Sequence, residues 1–171
     1  MALSLVILTG CAPAEQASAP EVTESTQSSQ PTETEQENLS AEEIIIASHD
    51  KFFAEGMTER VESGGDNYIL SYAPTEEFVA ALYNETFDDV ISVSERGMFT
   101  VLSAYDALQS GTATITQTGN LITIETPDFG SFEVTVENGL IVSGRDLADS
   151  WSGTFEYAPD LSTLQKLQDS K

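Results

Sequence analysis

A ten-residue segment, Gly144-Arg145-Asp146-Leu147-Ala148-Asp149-Ser150-Trp151-Ser152-Gly153, gathers the side chains best suited to recognising something. It holds the single Trp of the chain and one of only six basic residues. A guanidinium can bind a carboxylate through two parallel hydrogen bonds, and an indole offers a large apolar face with one N–H donor. Arg145, Asp146, Asp149 and Trp151 are therefore the candidate contacts for a ligand or partner. The competing reading is structural: Trp151 plugs the open end of a core and Arg145 pairs with Asp146 or Asp149. Other chemistry is scarce. His49 is the sole histidine, no Gly-x-Ser-x-Gly elbow accompanies it, and it falls on a helix surface beside Asp50. With one histidine and no thiol to spare, a zinc or copper site is not expected. Carboxylates are plentiful, densest at Asp88-Asp89 and Asp146/Asp149, but no D-x-D-x-D-G calcium loop is present. No catalytic residue, metal ligand or cofactor fingerprint is assigned. The one enzymatic alternative pairs a buried tyrosine with a carboxylate, for example Tyr105 or Tyr72 with Asp106, and needs a carboxylate facing an apolar pocket.

The only thiol, Cys11, lies at the end of a short apolar run. Ala2 to Leu8 is apolar except for Ser4, the length of a signal-peptide core and far short of the ~20 residues that span a bilayer. Leu8-Thr9-Gly10-Cys11 resembles the lipobox of bacterial lipoproteins. The resemblance implies that residues 1–10 are removed, that Cys11 carries acyl chains, and that the chain is held on the extracytoplasmic face of a bacterial membrane. Two or more acyl chains anchor stably where one does not, at ~0.8 kcal/mol per buried methylene. Met1 to Gly10 lacks the Lys or Arg of a signal-peptide n-region, so the natural start is expected upstream. The alternatives are a secretory peptide cut after Ala17-Ser18-Ala19, which the following Pro20 disfavours, and a chance cysteine in a cytosolic protein.

The chain carries 29 acidic and six basic residues, a net charge of −23. Phosphate binding needs clustered Lys and Arg, so nucleic acid is excluded as a partner, as is adhesion to anionic lipid by charge alone. Such acidity favours a soluble, monomeric protein. Residues 12–40 contain six Glu and no base among Ala, Pro, Gln, Ser and Thr. That composition cannot bury enough apolar surface to offset ordering, and a disordered tether of residues 11–40, spanning ~30 Å as a coil, is expected. With Cys11 committed to lipid, the domain has no disulfide and no thiol chemistry.

Residues 41–171 are expected to form a single α+β domain, N-terminal helices packed on a four- to five-stranded antiparallel meander. Ser40 and Glu43 spell a capping box ahead of a helical stripe, Ile44, Ile45, Ser48, Phe52 and Phe53, that ends near Gly56. Gly64-Gly65-Asp66 reads as a loop, and Tyr68 to Ala73 as either strand or helical turn. Pro74-Thr75-Glu76-Glu77 reads as a helix start, with Phe78, Val79, Leu82, Tyr83, Thr86, Phe87 and Val90 on a 3.6-residue period. Val90 to Ser94 could form a brief strand. Met98 to Leu108 gives a third helix. After Gly111 the period switches to two: strands around Ile115, Ile122 and Val134 follow, then the Asn138-Gly139 hairpin, Leu140 to Ser143 and Thr154 to Tyr157. Asp160 caps a last short helix. In element order alone this resembles the cystatin-like and ketosteroid-isomerase-like cone folds. The function expected is that of a tethered, non-catalytic envelope module binding a partner protein or a small ligand between sheet and helices. A cone-fold enzyme or a passive acidic spacer are the alternatives.

Overall fold

The structure, a computed structural model, describes residues 39–75, 78–127, 130–148 and 150–171. Cys11, residues 1–10 expected to be a leader, residues 11–38 of the expected tether, Glu76-Glu77 and Asp149 lie outside the described residues. The fold is α+β, with nine antiparallel strands in the order β4-β3-β2-β1-β9-β8-β7-β6-β5. Strands β1 (Met57–Ser63), β2 (Asp66–Tyr72), β3 (Ala80–Asn84) and β4 (Asp89–Val93) form one meander. Strands β5 (Thr114–Thr118), β6 (Leu121–Thr126), β7 (Gly130–Glu137), β8 (Leu140–Asp146) and β9 (Trp151–Glu156) form a second. Pairing of β1 with β9 joins the two into one sheet.

This corrects the sequence expectation in two ways. The sheet is about twice as large as the four- to five-stranded meander anticipated. The helices are also not gathered ahead of it: α1 (Ala41–Glu55) opens the domain, α2 (Thr100–Ser110) separates the two meanders, and α3 (Leu161–Asp169) ends it. The element order that carried the cone-fold resemblance is therefore not the one observed.

The largest single error is the helix expected from Pro74 to Val90, which is the β3–β4 hairpin. Asn84 turns the chain there, its Oδ1 accepting from the Thr86 and Phe87 N–H groups at 2.9 and 3.2 Å. Asp88 follows with φ of 50°, a left-handed conformation that Asp tolerates better than most residues. Phe87, on the supposed apolar stripe, is 71% exposed at the tip. Helix α3 packs on one face of β3 and the other carries Ala80 and Leu82, so its apolar residues fall on both sides and blur the two-residue alternation that would have marked a strand.

Local chemistry elsewhere matches the sequence. The Ser40–Glu43 capping box is formed, with the Ser40 N–H donating to Glu43 Oε2 at 2.8 Å. Those contacts hold the Glu43 carboxyl below its ordinary range, the Ser40 N–H foremost. Asp160 caps α3, accepting from the Ser162 and Thr163 N–H groups. Asn138-Gly139 makes its turn with both φ positive. Gly56 ends α1 with φ of 85°, and an added Cβ would lie 2.5 Å from the Tyr72 carbonyl oxygen, so only glycine lets α1 pass directly into β1.

The sheet has two differently dressed faces. Helices α1 and α2 pack together and against the second meander, over Ile122, Ile124, Val134 and Ile141. Their shared core extends to the first meander through an aromatic cluster. Phe52 of α1 stacks on Tyr72 at 4.7 Å and meets Phe99 edge-on at 5.1 Å. Helix α3 covers the opposite face of β2–β4, where Ser71 and Asp160 exchange hydrogen bonds at 2.8 and 3.2 Å.

A bulge between β7 and β8 decides which side chains reach which face. Register shifts by one residue between Thr135 and Val136, leaving Val142 without a partner while Ile141 stays opposite Val136. The Ile141 N–H donates to Ser48 Oγ on α1 at 3.0 Å, and its carbonyl accepts from Tyr157 Oη at 3.0 Å. Burial pushes the Tyr157 hydroxyl up to about 12, so it remains a donor. Beyond the bulge the alternation is displaced by one residue. Gly144 and Asp146 then point to the helix-covered face, and Arg145 to the other.

Candidate functional site

On the helix-covered face, the sheet and the start of α2 leave a groove of about 920 Å³. Its walls are mostly apolar: Val61, Leu70, Leu82 and Phe132 from the sheet, Met98 from the 3₁₀ turn before α2, and Leu147 and Trp151 from the β8–β9 connection. Met98 and Leu147 are 41% and 45% exposed, two large apolar side chains left in water beside it. Trp151 is half-buried, so one part of the indole packs on the core and another meets the groove.

Two glycines make room for this arrangement. Gly144 and Gly153, which bracket the segment in sequence, are cross-strand neighbours in β8 and β9. A Cβ on Gly144 would stand 3.0 Å from the Thr100 methyl, 3.2 Å from the Phe155 ring and 3.4 Å from Trp151. The missing side chain therefore lets the N-terminus of α2, Phe155 and Trp151 converge on one point of the sheet.

At the base of the groove lies Glu59, 1% exposed, with Leu70 and Phe155 as its cross-strand neighbours. Its Oε2 accepts from the Thr100 N–H at 3.0 Å and its Oε1 from the Thr100 hydroxyl at 2.6 Å. Thr100 opens α2, and Phe99 before it has no capping side chain, so Glu59 caps the helix from the neighbouring sheet. Burial nevertheless dominates and pushes its carboxyl up to about 7, the two Thr100 bonds opposing the rise.

The four sequence candidates do not form one cluster. Trp151 and Asp146 line the groove. Asp146 accepts from the Ser150 hydroxyl and from the Ala148 N–H at 3.1 Å, contacts that keep its carboxyl low, Ser150 foremost. Arg145 lies on the opposite face, where Glu133 holds it through Nη2 at 2.9 Å and Nε at 3.1 Å. That face carries a shallower polar recess of about 440 Å³ with Arg60 and Arg145 on it. Arg60 is in turn 3.4 Å from Asp160. Exposed pairs of this kind add about 0–1 kcal/mol each. Asp149 lies outside the described residues. The segment is also less of a loop than expected, because β8 runs through Asp146 and β9 begins at Trp151.

The residues offered as examples of the tyrosine–carboxylate alternative are dispersed, although Glu59 supplies the carboxylate facing an apolar groove that such a site needs. Tyr72 is buried in the aromatic cluster, and Asp106 faces solvent on α2. Tyr105 stacks on His49 at 3.7 Å, while His49 Nδ1 lies 3.1 Å from Asp50 and its Nε2 3.4 Å from Arg96. Among the described residues no three His, Cys, Asp or Glu side chains are placed to hold a metal ion. No described helix is long and apolar enough to cross a membrane.

Compared with known proteins, the chain matches no family model and no curated protein. What the groove can do is therefore read from its own walls. Sequence reasoning missed Glu59 altogether. In Met57-Thr58-Glu59-Arg60-Val61-Glu62-Ser63 every second residue faces the groove side, but a glutamate among them interrupts the apolar alternation that marks a strand.

Proposed function

We propose that this chain is a membrane-tethered, extracytoplasmic binding module without catalytic activity, and that the groove above Glu59 takes a small apolar ligand. The observation that carries this reading is the groove itself. A cavity of about 920 Å³ walled by Leu70, Leu82, Phe132 and Trp151 falls within the ~300–1,000 Å³ range of small-molecule sites. Apolar surface left open to water in this way is costly unless something covers it. The resemblance of Leu8-Thr9-Gly10-Cys11 to a lipobox supports the address, and the acidic composition of residues 12–40 supports a tether that lets the domain stand off the bilayer.

Trp151, the only indole, is a built-in reporter. The full chain carrying Cys11→Ser removes the acylation site and the need for detergent. Titrated with the neutral apolar fluorophore N-phenyl-1-naphthylamine, it is expected to show saturable energy transfer from Trp151 at one site per chain. Energy transfer that rises linearly without saturating would rule the groove out as a binding site. For the address, intact-mass analysis of natively produced protein is expected to show residues 1–10 removed and an acylated Cys11. An unmodified thiol on an uncleaved chain would withdraw the extracytoplasmic assignment.

A further inference from the structure

The groove is apolar in its walls but strongly biased in its charge. Its charged lining residues are both carboxylates, Glu59 at the base and Asp146 near Leu147. Among the described residues no Lys, Arg or His lines it. Three bases on neighbouring elements are engaged elsewhere. Arg145 and Arg60 serve the opposite face, and Arg96, beside groove residue Gly97, reaches away to His49 and lies 5.0 Å over the Phe53 ring.

Glu59 is also incompletely used. Both of its hydrogen bonds come from Thr100, whereas a carboxylate can accept about four. A buried carboxylate without a counter-charge is unfavourable, and a cation brought to it with good hydrogen-bond geometry recovers much of that cost. Trp151 on the same wall adds an electron-rich face that attracts cations. An anionic amphiphile would instead meet two carboxylates, with hydroxyl groups and one indole N–H but no cationic side chain to offset the repulsion.

From this complementarity we infer that the ligand is an apolar molecule bearing an ammonium group, its hydrocarbon body against Leu70, Leu82, Phe132 and Trp151 and its N–H donors directed to Glu59. The inference rests on the groove being a ligand site and adds the class of ligand.

The test compares dodecylammonium, dodecanol and dodecanoate, each below its micelle-forming concentration, by Trp151 fluorescence on the full chain with Cys11→Ser. High salt is used throughout, where attraction to the acidic surface is screened and a buried pair is not. Dodecylammonium is expected to bind at least about tenfold more tightly than either of the others, the value of one charge-assisted hydrogen bond. In Glu59→Gln, whose folding is checked by near-ultraviolet circular dichroism, ammonium binding should fall to the level of dodecanol. Should that variant not fold, the wild-type contrast in high salt decides alone. Equal binding of the three probes, or an ammonium preference that survives Glu59→Gln, would overturn the ligand class while leaving the groove a binding site. Saturable binding by none of them would remove the groove reading and this inference with it.

Discussion

Replacing Phe52 by alanine is expected to lower folding stability by about 3–5 kcal/mol, which for a domain of this size is a fall in melting temperature of roughly 10–20 °C. Phe52 is fully buried, and its ring touches Phe53, Tyr72, Phe78 and Phe99. These rings come from α1, β2, the segment before β3 and the residue before α2, so one cavity would loosen four parts of the fold together. Partners in a ring cluster cannot collapse into the space without losing their own contacts, which puts the cost in the upper range for large-to-small changes. Phe87→Ala, at the exposed hairpin tip, should change stability by less than about 0.5 kcal/mol. Urea unfolding of the two variants provides the comparison. Similar losses in both would restore Phe87 to the apolar stripe of a helix and contradict the β3–β4 hairpin.

The second large effect is a pH dependence with an unusual sign. Most paired carboxylates stabilise a fold as they ionise, but Glu59 is pushed up from an ordinary 4.5 to about 7 by burial. Between these values the unfolded chain has released the proton and the folded one still holds it. Stability from this group is therefore fully present below pH 4.5, declines as pH rises toward 7 and is gone above it. The amplitude is roughly 3 kcal/mol, since each pKa unit corresponds to about 1.4 kcal/mol. Asp160, Asp146 and Asp88, all held low by hydrogen bonds, act in the opposite direction below the ordinary carboxylate range. They are common to both proteins when wild type is compared with Glu59→Gln. The variant should lack the decline between pH 5 and pH 8 and be the more stable of the two at pH 8. Parallel stability curves for the two proteins would show that Glu59 titrates normally and is open to water.

These two residues also mark how far the sequence could be read. Phe52 belongs to a stripe with Ile44, Ile45 and Ser48, bracketed by the Ser40–Glu43 cap and Gly56, and every level of local signal agrees there. The second meander was legible for the same reason: one face of β6 and β7 is apolar, the other Thr and Glu, and Asn138-Gly139 fixes the turn. The first meander was not. Tyr68 to Ala73 stayed ambiguous and β3 read as helix because α3 covers one face of this region and the core the other, leaving no polar side to reveal the period. Strand β1 was hidden by Glu59 itself. A charged residue placed on an apolar face defeats pattern reading, and such placements concentrate where a structure does something other than pack. Of the residues singled out in the sequence, Trp151 and Asp146 line the groove. Arg145 was grouped with them because adjacency in sequence cannot show which way a strand residue points, and the bulge at Thr135/Val136 sends it to the other face.

Two faces of one sheet thus compete for the role of binding surface, and alternating residues of single strands report on them separately. Heteronuclear NMR of the full chain carrying Cys11→Ser, titrated with N-phenyl-1-naphthylamine, follows both faces at once. If the groove is the ligand site, methyl and indole resonances of Leu70, Leu82, Met98 and Trp151 shift together and saturate, while the Arg60, Arg145 and Thr154 side chains on the opposite face stay in place. Shifts confined to the arginine face, or small shifts spread evenly over the molecule, would contradict it.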